Sequence, residues 1–318
     1  MPRASAGGIF IPRDSQALPR ILPIPVSTPP PPPRLHLLHA READVAVIFR
    51  RGPSRHVEVV RWDTARDTFE RGHWFRGRIY ERRCDLSPDG ELLVYFAGQY
   101  NSRTRTRTHG ERESLYAWTA VSRPPWLTAL ALWPKDDCWH GGGLFLRRRH
   151  LLLNHRPEQA APHPEHRPHG LRVEPDPDAR GENDPLYSRR LARDGWEVVR
   201  EWEVEQVPGS WGYRTVAPGE LARRHPGLPY RVVMERRIDW LTYREDFRVE
   251  GPRGPVPLPS ARLDWVDWDR RGRLVVLRSG AVHAAEVTAE GVDPLRTLAD
   301  FTADRFEPRE APPYARSW

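Results

Sequence analysis

The chain has 318 residues, 38% hydrophobic and 29% charged, which is enough for one large all-β domain or two ordinary ones. No apolar run reaches about 18 residues, so a membrane-spanning helix is excluded. The net charge of +7 invites a nucleic-acid reading, but Lys135 is the only lysine, and 49 of the 50 basic residues are arginine. Such a bias fits a GC-rich, bacterial coding sequence better than a phosphate-binding surface, so nucleic acid is not favoured as a partner. Two cysteines, Cys84 and Cys138, cannot build a disulfide framework. With no apolar leader core in the first 34 residues, the expected setting is a reducing cytoplasm.

Residues 1–35 hold a run of five prolines at 29–33. This composition favours polyproline II and offers no amide donors to a sheet, so the stretch is expected to be a disordered arm. From residue 36 to 318 the pattern changes to short runs rich in β-branched and aromatic residues, among them "DVAVIF", "HVEVVRW", "ELLVYFAG" and "RLVVLR". Gly, Pro, Asp or Arg clusters bound them, and helical periodicity is scarce. One all-β domain over 36–318 is expected, as a sandwich, barrel or propeller.

A repeat decides among these. "CDLSPDGELLVYFAG" (84–98) returns as "DWDRRGRLVVLRSG" (267–280), with Asp85 and Asp267 each five residues before a glycine, Gly90 or Gly272. In each copy a strand enters a tight turn and a second strand leaves it, since glycine accepts positive φ without steric cost. "GGLFLRRRHLLLNH" (142–155) is a looser third copy. The "SPDG" turn resembles that of TolB-like and WD-repeat β-propellers, without the Gly-His and Trp-Asp pairs of true WD repeats. That resemblance implies a propeller and carries no activity. Strand spacing then places blades at about 36–76, 80–134, 140–206, 213–259 and 261–301. Five blades are expected, with six as the alternative count and with the tail running back to close the ring.

Function is sought where long connections gather on one end of such a ring: 98–113, 134–142 and 156–184. Arg103, Arg105 and Arg107 alternate with threonine and form an anion-binding comb if extended. Trp139, His140 and His155 lie in the same set of connections. His163, His166 and His169 sit three apart, but the intervening prolines are expected to keep them from converging, so no metal site is assigned. No cofactor fingerprint or nucleophile motif occurs. The expected function is a non-enzymatic scaffold that binds a protein partner through Arg103, Arg105, Arg107, Trp139, His140 and His155. The alternative is a glycoside-hydrolase-like enzyme using Asp85, Asp264 and Asp267 on innermost strands near the axis. In the scaffold reading Asp85 and Asp267 cap their turns.

Overall fold

The computed structural model describes residues 30–53, 55–99, 116–179, 183–202, 217–239, 242–260 and 262–318. They form a five-bladed β-propeller, five small sheets in a ring. The expected 1–35 arm falls almost wholly outside the described residues.

Blade one contains β1 (Arg34–His39), β2 (Val45–Arg51), β3 (His56–Asp63) and β4 (Thr68–Arg76) in simple antiparallel order. Its innermost strand, not discernible in the sequence, is β1. In blade two the inner strand is broken into β5 (Arg78–Ile79) and β6 (Asp85–Leu86), which both pair with β7 (Leu93–Gly98). A single 3-10 turn over 81–83 separates them, and β8 (Ala117–Ser122) and β9 (Ala131–Lys135) complete the blade. Blade five contains β18 (Leu263–Trp268), β19 (Leu274–Arg278), β20 (Ala281–Ala285) and β21 (Arg296–Asp300).

Blades three and four depart from the expected boundaries. Blade three has three strands, β10 (Gly143–Arg147), β11 (His150–Leu153) and β12 (Arg172–Pro175), with β12 parallel to β11. A parallel neighbour needs a long crossover, which the segment between 153 and 172 supplies. The run beginning at Trp196, expected to close blade three, is β13 (Trp196–Trp202). It pairs with β14 (Ala217–Arg224) and so becomes an added strand of blade four, followed by β15 (Arg231–Asp239), β16 (Thr242–Gly251) and β17 (Gly254–Val256).

Between these blades lies α1 (Leu186–Arg193), which the sequence reading did not anticipate. Asp184 accepts hydrogen bonds from the Ser188 amide (3.2 Å) and hydroxyl (2.5 Å), tying down the first turn. Leu186, Tyr187, Arg190 and Leu191 make the buried face. The helix touches β10 on one side and β13 on the other, filling the gap left by the short third blade.

Strands β2, β7, β19 and β20 are buried on both faces, so their sequences read as continuous apolar runs rather than alternating ones. In blade one, Leu35, Leu37, Ala46 and Ile48 face a cluster shared with blades four and five, while Leu38, Val47 and Phe49 face blade two. Phe145, Leu151 and Leu153 of blade three pack on Val94, Val121 and Trp133 of blade two. The repeated turns belong to this packing: Gly90 and Gly272 have φ of +74° and +80°. A Cβ at Gly90 would lie 2.8 Å from Val45, and one at Gly272 would lie 2.8 Å from the His225 ring, each on the preceding blade.

The ring closes where β1 meets β18: the Leu35 amide donates to Asp264 Oδ2 at 3.1 Å. The tail contributes no strand to this junction. It runs back outside blades one and two, with Arg309 3.1 Å from Glu58, Tyr314 accepting from Trp126 Nε1 (3.1 Å) and Trp318 Nε1 donating to Leu130 O (3.1 Å). Among the described residues no helix is long and apolar enough to cross a membrane.

Candidate functional site: a charged cavity at the axis

A cavity of about 340 Å³ lies where the inner strands of blades one, two, four and five converge with the end of α1. It sits at the end of the ring that carries the tight turns between first and second strands. Of the connections on which the sequence reading placed function, 98–113 lies almost wholly outside the described residues, and the crossover from Leu153 runs back to where β12 begins beside His150. The last residues of β1 lead into the cavity wall with His39 and Arg41; β6 supplies Asp85, and α1 supplies Arg190 and Arg193, with Asp194 just after. Trp196 opens β13, Arg223 lies next to the last residue of β14, and β18 brings Trp265, Asp267 and Trp268, with Arg270 on the turn beyond.

The two repeated aspartates occupy matching places and are held alike. Asp85 takes both guanidinium nitrogens of Arg193, at 2.6 and 2.9 Å, and the Phe145 amide of blade three at 2.7 Å. Asp267 takes Arg223 and its neighbour's amide, Trp268 N–H, at 2.8 Å. Neither carboxylate caps its own turn. That work is done by Ser87, whose hydroxyl accepts the Leu92 amide (2.9 Å), and by Asp269, which accepts the Arg271 and Arg273 amides (3.0 and 2.9 Å). The repeated aspartates therefore join blades: blade two to blade three and α1, and blade five to blade four.

Burial disfavours a charged Arg193, yet Asp85 and Asp194 outweigh it and raise its pKa. Burial pushes the Asp194 carboxyl above its ordinary range. Arg190 has no carboxylate partner among the described residues: it donates to the carbonyls of Glu81 (3.2 Å) and Cys84 and to His36 Nε2 (3.3 Å). That last bond needs a neutral His36, and burial, with Arg190 adding to it, holds its pKa well below the usual histidine value. Arg41 likewise has only carbonyl acceptors, Phe145 O at 3.0 Å and Leu146 O at 3.4 Å, and its Nε is buried without a partner. His39 Nε2 and Trp265 Nε1 are also buried and unpartnered. The wall thus carries five guanidiniums against three carboxylates, with Arg41 and Arg190 unmatched. Its chemistry is that of a site for an anion with apolar bulk: fixed cations, polar N–H groups and indole surface.

The sequence-selected residues scatter. Asp85 and Asp267 share the cavity wall, whereas Asp264 lies away from it at the blade five–blade one junction, its pKa pushed up to about 6 by burial. Trp139 is 60% exposed. Beside it His140 is buried, and His155 is fully enclosed. His155 Nε2 meets Thr119 Oγ1 at 2.8 Å and its Nδ1 meets Gln159 O at 3.0 Å; burial lowers its pKa to about 4. Both imidazoles are therefore interior groups. Arg103, Arg105 and Arg107 lie outside the described residues.

His163 and His166 do come together, with ring centroids 5.5 Å apart, and Glu165 joins them. The intervening proline sits within a closed turn, where it favours convergence instead of opposing it.

The residues missed by sequence reasoning are mainly Arg190, Arg193 and Asp194, in "RRLARDGW" (189–196). Their signal was a short helical pattern, with buried positions 187, 190 and 191, flanked by Asp-Pro and Asp-Gly. No protein-family model matches the chain, and no curated protein does either, so the TolB-like and WD-repeat likeness rests on the turn alone.

Proposed function

We propose that the protein is a non-enzymatic propeller scaffold that binds a protein partner at the cavity end of the ring, taking a carboxylate-bearing segment of that partner. The observation that carries this reading is the pair of unmatched guanidiniums, Arg41 and Arg190, on the wall of a compact cavity. The surrounding surface supports it: Arg147 and Arg149, on the tip of the β10–β11 turn, are exposed and have no acidic partner among the described residues. An acidic side chain matches two guanidiniums, whereas a nucleic-acid strand needs a groove that tracks successive phosphates.

The hydrolase reading receives less support. A glycosidase pair needs one carboxyl protonated near neutrality beside a free carboxylate. Asp85 and Asp267 are each engaged by a guanidinium and an amide, and Asp264 stands apart from both. On the loop-rich end, Trp139 is the exposed member of the described candidates.

The test is fluorescence anisotropy with a pool of Asp/Glu-rich peptides and the matching Asn/Gln pool, against wild type and Arg41→Gln. The acidic pool should bind, more weakly as salt rises, and at least fivefold more weakly to the variant. Equal binding of the amide pool, or an unchanged variant, overturns the assignment.

A further inference from the structure

We infer that His163, Glu165 and His166 form a binding site for a divalent first-row transition metal, with Zn²⁺ as the ligand. The three residues stand in four consecutive positions, "HPEH", on the crossover between β11 and β12. One ligand atom from each lies within 4.8 Å of the others. Two imidazole nitrogens and a carboxylate oxygen are the donor set that such ions take, with water filling the open position. Donors bound at about 2.0–2.1 Å around a tetrahedral zinc stand roughly 3.4 Å apart, so modest side-chain rotations complete the site.

The backbone is built to hold these side chains together. His166 N–H donates to His163 O at 3.1 Å, which closes the turn. Its two ends are then fastened to one residue of β9: His163 N–H donates to Leu132 O (2.8 Å), and Leu132 N–H donates to His166 O (3.0 Å). Trp318 Nε1 donates to the carbonyl of the next residue, Arg167, at 3.3 Å. Pro164 fixes φ inside the turn. The ordering cost of bringing the donors together has therefore been met during folding. Glu165 is exposed and both histidines are half-buried, so the ion has an entry path.

One bond must be exchanged. The Glu165 amide now approaches His163 Nδ1 at 3.3 Å. That contact is lost whether the metal takes Nδ1 directly or takes Nε2 and leaves the proton on Nδ1. Glu165 is an exposed residue and the contact is long, so its loss costs little. The bound ion would staple the crossover that delivers the parallel strand β12, independently of what occupies the axial cavity.

The test is calorimetric titration of the untagged full chain with ZnCl₂, paired with the visible absorption of added Co²⁺. One ion per chain at micromolar affinity is expected. His163→Asn and His166→Asn should each weaken binding at least tenfold, and Glu165→Gln should weaken it severalfold. His169→Asn, which changes a histidine outside the cluster, should leave it unchanged. The Glu165 amide resonance should shift on titration. Absence of a saturable 1:1 event, or equal losses in His169→Asn and His166→Asn, overturns the site.

Discussion

Asp85 on β6 and Arg193 at the end of α1 meet through two parallel hydrogen bonds of 2.6 and 2.9 Å, across 108 residues of sequence. The pair joins blade two to the helix that fills the gap between blades three and four. It also neutralises one of the two aspartates that the sequence repeat makes conspicuous.

Removing Arg193 leaves the Asp85 carboxylate, 3% exposed at its side chain, with the Phe145 amide in place of a cation, whereas removing the Asp85 charge leaves Arg193 with Asp194. Arg193→Met should cost about 3 kcal/mol in urea unfolding, and Asp85→Asn less, because Asp194 still pairs with Arg193. The double variant should cost clearly less than the sum, with a coupling of about 1–3 kcal/mol. Strict additivity would show that the two side chains do not act as a pair.

Asp264 sets one pH dependence. Its folded pKa of about 6 lies above the ordinary carboxyl value, so between about pH 4 and 6 the folded state holds more protons than the unfolded chain. Stability from this group is therefore present at low pH and lost as pH rises through that window. Asp264→Asn keeps an acceptor for the Leu35 amide and cannot ionise. From pH 4 to 7 the wild type should lose about 1–2 kcal/mol relative to the variant, measured by chemical unfolding at each pH. A constant difference between the two would contradict the raised value.

His155 sets the opposite dependence. Its folded pKa of about 4 lies below the ordinary histidine value, so between about pH 4 and 6.5 the unfolded chain holds more protons. Stability is present above that window and lost as pH falls through it. In NMR titration the His155 ring should remain neutral until about pH 4. His155→Gln should flatten the acid limb of the stability curve, while costing about 1–3 kcal/mol near neutrality through the broken contacts to Thr119 and Gln159.

Much of the ring is legible in the sequence because a tight turn is a local event. The run Ser87 to Leu92 contains the residues that cap its own turn, and Gly90 supplies the positive φ that it needs. The same locality misleads at Asp85 and Asp267, whose partners lie on other blades. Trp196 to Trp202 has strand character wherever it pairs; only the register with β14 assigns it to blade four. For α1, eight residues give too few turns for periodicity to stand out against the surrounding strands.

The sequence by itself determines the all-β class, the strand–turn–strand unit and the propeller expectation, through backbone preferences and apolar runs that act over a few residues. Tertiary structure alone decides which charges are matched. Arg193 and Arg223 reach the repeated aspartates, whereas among the described residues Arg41 and Arg190 find only carbonyl and imidazole acceptors. It also decides that Pro164 gathers two histidines rather than separating them, because the turn is clamped at both ends to Leu132. Coulomb and hydrogen-bond energies depend on distance in space, and closing the ring brings together residues that sequence order keeps far apart.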